Sequence, residues 1–384
     1  MTSPMTAPAG SERRTPSART APAARAEPRT TGRAPSPAAA AAVDASRTLA
    51  RCRDLVRPSL SAATGRLHPW HAEMAAYSLG WCEVGGAPTD LRFEGKGLRQ
   101  ALSVLCAEAS GASGGSAVAG AVAVELVHTF SLLHDDIMDG DGTRRQRDTV
   151  WKAYGTGPAV LAGDALFALA VQVLAESTGP RTGAAVGRLS ETLSALVRGQ
   201  AADLLFEARP WTGPEAVRPD EYRAMAELKT GTLLGCAAAL GGLLGGAPAG
   251  TVTALDRAGR HLGVAFQAVD DLLGIWGDPE ATGKPVHSDL LRRKKTYPVL
   301  AALATGGVHA RELLTLLDSP LPLEGGRAKD AAVLVEACGG RAATLEEAHR
   351  HLEAARACLR SVPLAPRSAA EIEGLLGFLL HRTV

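Results

Sequence analysis

The run "AVAVELVHTFSLLHDDIMDGDGTRRQR", residues 121–147, passes without a break from apolar side chains to four aspartates and then three arginines. Asp135, Asp136, Asp139 and Asp141 come first, and Arg144, Arg145 and Arg147 follow. Like charges at this density repel, so a folded chain must compensate them. On a helix turning ~100° per residue, Asp135 and Asp139 share one face and Asp136 points partly aside. Two carboxylates one turn apart suit a hard cation such as Mg²⁺, which keeps several waters and takes one or two carboxylates plus phosphate oxygens. The arginines then fit the same polyanion, because guanidinium forks match phosphate geometry. Taken alone, the stretch also reads as a solvated acidic helix end followed by a basic loop.

A second stretch, "AFQAVDDLLGIWGDPEATGKPVHSDLLRRKKTYPV" (residues 265–299), repeats the pattern. Asp270 and Asp271 close an apolar helix, and a Gly/Pro-broken loop carries Asp278, Lys284, Asp289, Lys294 and Lys295. Two apolar helices that end in paired aspartates and run into basic loops imply a diphosphate held from both sides through metal ions. A third basic element, "EGKGLRQAL", sets Lys96 and Arg99 at a helix start, where backbone N–H groups favour anions.

The rest of the chain frames this chemistry. Of 384 residues only 4% are aromatic, while Ala, Leu and Gly abound, which favours helices over sheets. A net charge of +1 argues against a general nucleic-acid or membrane binder. The six cysteines, Cys52, Cys82, Cys106, Cys236, Cys338 and Cys358, form no CxxC pair and read as reduced thiols of a cytosolic protein. Residues 1–42 are mostly Ala, Pro, Arg, Ser and Thr without Leu, Ile or aromatics, a composition expected to stay disordered. No signal peptide is expected, and the apolar run from Gly231 reads as a buried helix, not a membrane span. From residue 43 to 384, apolar-periodic stretches alternate with Gly/Pro punctuation, with no convincing β-alternation. The expectation is one all-α domain of many helices.

This ordered set of motifs resembles the trans-isoprenyl diphosphate synthases of the polyprenyl synthetase family, over nearly everything after the tail. The two aspartate motifs appear as "DDIMD" at 135–139 and "DDLLG" at 270–274. Gly95, Lys96 and Arg99 match "GKxxR", Arg144 and Arg145 follow the first motif, and "LKT" at 228–230, "FQ" at 266–267 and "GKPxxSDLxxxKKT" from Gly283 keep the family's order. The resemblance implies an isoprenoid synthase-type bundle of antiparallel helices around a central cavity. It also implies magnesium-dependent condensation of isopentenyl diphosphate with allylic diphosphates, in a cytoplasmic homodimer. Asp135 and Asp139 would bind two Mg²⁺ ions and Asp270 a third, with Asp136 and Asp271 in support. Arg144, Lys229 and Lys284 would contact the allylic diphosphate, and Lys294 would also bind substrate. Lys96, Arg99, His128 and Arg145 would hold isopentenyl diphosphate. Lys229, Thr230 and Gln267 would serve the centre where positive charge develops.

Several positions depart from the family pattern. Gly274 stands where Asp is usual, Gly97 where Arg is common, Gln100 where Pro is common, and His287 where Gly is usual. A catalytically weak subunit of a heteromeric synthase, or a class I terpene cyclase, are the alternatives. The four residues of the second diphosphate site speak against a cyclase. Phe130 and Ser131, five and four positions before Asp135, would set product length, with geranylgeranyl diphosphate expected first and farnesyl diphosphate next. The arginine-rich tail resembles that of cargo enzymes packed in encapsulin shells, which implies a shell partner and a place inside a nanocompartment.

Overall fold

Runs such as "RLSETLSALVRGQAADLLFEA" carry apolar residues at helical spacing, and the chain folds them accordingly. In the computed structural model, residues 37–89, 95–279 and 285–380 are described, and most are helical. In chain order the helices are α1 (Pro37–Thr64), α2 (Pro69–Ser78), α3 (Leu98–Ala109), α4 (Val118–Met138), α5 (Val150–Tyr154), α6 (Thr156–Ala175) and α7 (Thr182–Ala208). Then come α8 (Pro219–Ala226), a π-turn (Glu227–Gly231), α9 (Thr232–Leu244) and α10 (Ala249–Trp276). A short α11 (Ser288–Leu291) precedes α12 (Tyr297–Ala304), α13 (Gly307–Asp318), α14 (Gly326–Ala337), α15 (Gly340–Arg360) and α16 (Pro366–Leu380).

The centre of the bundle is α9. Its residues 232–242 are all buried, because "TLLGCAAALGG" holds no charge and little bulk. Around it stand α3, α4, α7 and α10, with α6 packed against α4 and α15 against α10. The main core runs through Leu105, Leu126, Leu166, Leu189, Leu234 and Leu255; a smaller one joins Ile275, Leu290, Val299, Leu313 and Val335. All six cysteines are free, and four of them are buried. Burial pushes the thiols of Cys106 and Cys236 up to about 12.

Three details differ from the sequence reading. Helix α1 starts at Pro37, so residues 37–42 belong to it and not to the tail: "PAAAAAV" puts Pro at a first-turn position and then the best helix former. The rest of the tail, and with it the expected shell docking, lies outside the described residues. A two-stranded hairpin, β1 (Thr143–Arg144) with β2 (Arg147–Asp148), follows the first aspartate motif. Its turn residues Arg145 and Gln146 both have positive φ, 51° and 64°, a mirror-image turn normally made with Asn or Gly. Finally, Gly114–Met138 and Thr156–Ala175 are long and apolar enough to cross a membrane by length and composition. The first is mostly buried in the bundle, whereas only 39% of the second is.

Close helix contacts at the centre depend on missing side chains. A Cβ at Gly199 of α7 would press on the backbone of Leu228 and Lys229, and one at Gly263 of α10 on the backbone of Thr230 and Gly231. The π-turn is thus clamped between two helices at residues that cannot grow. Gly199→Ala is expected to destabilise the protein by about 1–3 kcal/mol through overpacking. Gly187→Ala, on the same helix with nothing near its Cβ position, is expected to stabilise it by about 0.5–1 kcal/mol, since Ala holds a helix better. Urea unfolding of the two variants measures both signs; a shared sign would refute the clamp.

Candidate active site

Helix α4 delivers the first acids. Asp135 and Asp139 lie one turn apart and half-buried, and burial, reinforced by the charge of Asp139 against that of Lys229, pushes the Asp135 carboxyl up to about 6. Asp136 is 4% exposed and turned elsewhere. It accepts from Arg144 Nε at 2.9 Å and Arg144 Nη2 at 2.6 Å. Its part is therefore to fix Arg144 in the hairpin. Asp141, also buried, pairs with Arg292.

Facing these acids are lysines. Lys294 Nζ donates to Asp139 at 2.7 Å, and Lys229 Nζ donates to Asp203 of α7 at 2.5 Å while its charge reaches Asp135 and Asp139. The ammonium groups partly neutralise the acidic cleft. Among the described residues no three His, Cys, Asp or Glu side chains converge on one point. Two carboxylates leave a magnesium ion short of ligands, and phosphate oxygens and water are what such an ion takes next. The donor set therefore fits Mg²⁺ carried in with a diphosphate.

The second aspartate pair divides its labour. Asp271 of α10 is 2% exposed and bound on every side. Tyr222 Oη donates to it at 2.6 Å, the Tyr297 backbone N–H at 3.0 Å and Gln267 Nε2 at 3.0 Å. Burial and the charge of Asp289 push its carboxyl up to about 7, against these donors. It cannot face the cleft. Instead it orients Gln267, whose Oε1 accepts from Thr230 Oγ1 at 2.8 Å. Tyr297 is held in turn by Arg223, which also donates to Glu347 at 2.8 Å. Asp270, the half-buried member of the pair, is near enough for its charge to act on Arg99.

A second, cationic site lies beyond the first. Arg99 Nη1 sits 3.1 Å from His128 Nε2. The tight turn at positive φ sends Arg145 back over Gly95, where a Cβ would meet its guanidinium at 2.7 Å. Burial, and then the charges of Arg99, Arg145 and Arg144, hold His128 well below its ordinary value, so the imidazole is neutral. Burial lowers Arg99 most, against the charges of the buried Glu125 and of Asp270 and with that of Arg145; burial and then Arg144 lower Arg145, against Glu125 and Asp136; and the buried Arg99 Nε has no hydrogen-bond partner. Such a group of cations is built to receive a polyanion. Lys96 stands at the rim with its Nζ 5.1 Å from the Phe378 ring centroid.

Of the residues expected from the sequence, Asp135, Asp139, Lys229 and Lys294 meet in the acidic cleft, with Thr230 beside Lys229 and hydrogen-bonded to Gln267. Arg99, His128 and Arg145 meet in the cationic site, with Lys96 at its rim, Arg144 at the border and Asp270 within reach of Arg99. Lys284 lies outside the described residues. Asp136 and Asp271, expected to support metal binding, are instead taken up by protein groups: Arg144 for the first, and Tyr222, Gln267 and the Tyr297 N–H for the second. Phe130 leans into the α4–α6 contact, with ring centroids 5.3 Å from Phe167 and 4.9 Å from His134. Ser131 lies one turn below Asp135, with its hydroxyl on the His128 carbonyl. Sequence reasoning missed Asp203, Tyr222 and Tyr297. The signal for Asp203 was an acid within the otherwise apolar-periodic end of α7; nothing local marks the tyrosines.

Known proteins resemble this chain in sequence and fold. Residues 88–321 match the family described as Polyprenyl synthetase. The chain is 44% identical over 337 residues to (2E,6E)-farnesyl diphosphate synthase of Mycobacterium tuberculosis, covering 87% of this chain and 92% of that one. It is 43% identical over 319 residues to geranylgeranyl diphosphate synthase of the same organism, covering 83% and 89%. The crystal structure of polyprenyl synthetase from Streptomyces coelicolor A3(2) superposes with a TM-score of 0.81 at 45% identity, over 87% of this chain and 98% of that one. A polyprenyl synthase from Caulobacter crescentus CB15, complexed with calcium and isoprenyl diphosphate, superposes with a TM-score of 0.74 at 25% identity, over 88% and 98%. The fold is that of the isoprenoid synthases, and the chain belongs to the polyprenyl synthetase family as a trans-isoprenyl diphosphate synthase, a prenyltransferase.

Proposed function

We propose that the protein condenses isopentenyl diphosphate with an allylic diphosphate in a magnesium-dependent reaction, with geranylgeranyl diphosphate as main product and farnesyl diphosphate next. The observation that carries this reading is the pairing of an acidic cleft neutralised by Lys229 and Lys294 with a separate cationic site at Arg99, His128 and Arg145. One site suits a metal-borne diphosphate and the other a second diphosphate. A cyclase needs only the first.

Asp135, Asp139 and Asp270 would hold Mg²⁺, three ions in all, which supply positive charge to the departing diphosphate. The Caulobacter relative, bound to calcium and isoprenyl diphosphate, supports a divalent ion in this role. Arg144, Lys229, Lys284 and Lys294 bind the allylic diphosphate. As the allylic C–O bond breaks, its electron pair leaves with the diphosphate, and these cations stabilise that charge. Lys96, Arg99, His128 and Arg145 hold isopentenyl diphosphate with its double bond toward the allylic carbon. The π electrons form the new C–C bond, and a proton passes to the diphosphate just released. The Thr230–Gln267 pair, fixed by Asp271, presents neutral oxygen atoms to the transient positive charge, and the apolar bundle keeps water away from it.

The aspartates can be separated by experiment. Asp270→Ala is expected to lower turnover by several orders of magnitude with little loss of stability. Asp271→Ala should lower stability by about 2–4 kcal/mol, because it strands the Tyr222 hydroxyl, Gln267 and the Tyr297 N–H without an acceptor. Magnesium-dependent turnover and urea unfolding of each variant read the two effects. Equal losses of turnover at unchanged stability would sink this division of roles.

Product length supplies the second test. Small Ser131 leaves room beneath Asp135, while Phe130 and Phe167 together are proposed to close the far end. Ser131→Phe should shift the product toward farnesyl diphosphate, and Phe130→Ala should lengthen it, both read by mass analysis of products. An unchanged distribution in both variants would remove these residues as the floor.

The exposed apolar residues Val160 and Leu161 of α6 and Val197 and Leu205 of α7 support a homodimer. Light scattering should show a dimer that Leu161→Glu weakens at least tenfold. A monomeric wild-type chain would refute it.

A further inference from the structure

A buried acid stands among the cations of the second site. Glu125 of α4 is 8% exposed, and its Oε2 is buried without a hydrogen-bond partner. It lies one turn before His128, on the helix face that carries the imidazole to the site. Arg99 of α3 and Arg145 of the hairpin are close enough for their charges to act on it, and its charge acts on both in return. A small cavity adjoins it, lined also by Gly95, Gln100 and, from α1, Arg53 and Arg57. The Gln100 Oε1 is likewise buried and unpartnered.

A buried carboxylate stays charged only through what surrounds it. Burial pushes the Glu125 carboxyl up, and the guanidinium groups of Arg99 and then Arg145 oppose this. His128 is neutral and adds no charge. With no donor on Oε2, the field of the two arginines takes the place of a hydrogen bond. Asp270 and Asp136 reach the same arginines from α10 and from the end of α4, but Asp136 is already bound to Arg144. A diphosphate would change the balance at Glu125. Its negative charge would offset the field of Arg99 and Arg145, and the carboxylate would then face an anion inside the protein with little to compensate it.

We propose that Glu125 is a positioning residue, which holds Arg99 and Arg145 together while the site is empty and takes up a proton from solvent when a diphosphate binds to them. The proton is released again when the anion leaves, and no other bond is made or broken. The inference rests on the two-site reading of the proposed function. It makes anion affinity depend on pH. Below the value of the empty site Glu125 is already protonated, and above that of the occupied site it is charged in both states. Between the two, each rise of one pH unit lowers affinity by up to about tenfold.

The test titrates the full-length protein with inorganic pyrophosphate in magnesium-free buffer, so that the cationic site and not the metal-dependent cleft receives the anion. Calorimetry in two buffers of different ionisation enthalpy, from about pH 6 to about pH 8, counts the protons exchanged. Wild type should take up about one proton more than Glu125→Gln, and the titration of pyrophosphate itself cancels in that difference. Glu125→Gln, a neutral copy of the protonated side chain, should also bind pyrophosphate about tenfold more tightly at the upper end of the range, where loss of a merely structural residue would weaken binding. Glu125→Asp should keep the proton uptake. Melting curves identify the folded variants. If Glu125→Gln does not fold, the infrared difference spectrum of wild type must gain a protonated-carboxyl band as pyrophosphate binds. Equal proton uptake in wild type and a folded Glu125→Gln, or the absence of that band, overturns the proposal and leaves prenyl transfer standing. Wild type that binds no pyrophosphate yet forms prenyl product overturns it too. Wild type that does neither overturns the functional reading itself.

Discussion

Charge of one sign gathered inside an apolar bundle is the constraint on which the rest of this structure depends. Two like charges about 6 Å apart repel by roughly 3 kcal/mol at the effective dielectric of a protein interior near its surface. The chain sets Asp135 beside Asp139 in one place and Arg99 beside Arg145 in another. Neither cluster stabilises the fold. Lys229 and Lys294 relieve the acids in part, yet burial still pushes Asp135 up to about 6. The cationic site is relieved in part by the buried carboxylate of Glu125, yet it leaves a guanidinium nitrogen of Arg99 without a hydrogen-bond partner. The fully buried leucines of α4, α6, α7, α9 and α10 supply the excess stability that lets these groups remain ready for diphosphate.

Holding such groups in place requires a frame that does not give. At the centre, Gly199 of α7, Gly231 of the π-turn and Gly263 of α10 let backbone pack against backbone, and Lys229 and Thr230 ride on that contact. At the edge, the left-handed turn residue Arg145 is carried back over Gly95 into the cationic site, and the left-handed His287 is tied to the end of α10 at the Ile275 carbonyl. Buried hydrogen bonds complete the frame. Asp271, Tyr222 and Tyr297 tie α10 to α8 and α12, and through Arg223 and Glu347 to α15. Glu347 also accepts from Arg350; although burial opposes it, the pairing with His351, Arg350 and Arg223 pulls its carboxyl down to about 2. Its contribution is complete above about pH 4.5 and is lost only as the pH falls toward 2, so the frame holds at any pH where the enzyme would work.

The helical class was legible because helical periodicity and Gly/Pro punctuation are local signals, and the site was legible because charges following apolar runs are conspicuous. Direction was harder. Asp270 and Asp271 are neighbours in sequence, but only tertiary contacts from Tyr222 and Tyr297 show that the second faces inward. The same holds for Asp136, whose partner Arg144 arrives by way of a hairpin that no Asn-Gly announces. Asp203 could have been inferred from the need of a buried Lys229 for a counter-charge, but its place one helix away could not. The tail boundary was misread for a different reason. A run of alanine has the composition of a linker and the propensity of a helix, and packing of the residues after it decides between them.

The departures from the family pattern share one physical form. At Gly97, also left-handed at φ 67°, a Cβ would meet the amide of Gln100 at 2.5 Å, and Gln100 itself stands where Pro is common. At Gly274 the intruding group is the carboxylate of Asp289. In both places the residue that vanished from the motif left room that a neighbour fills. The basic signature gains a buried amide in place of a guanidinium, which lowers the local positive charge around Arg99. The acidic signature has one carboxylate fewer on α10, and the Asp289 carboxylate of the following loop lies against the vacated position. The first departure lowers positive charge at the cationic site, and the second lowers negative charge at the end of α10. Both trim charge at the ends of the motifs, while Arg99, Arg145, Asp135, Asp139 and Asp270 keep it at their centres.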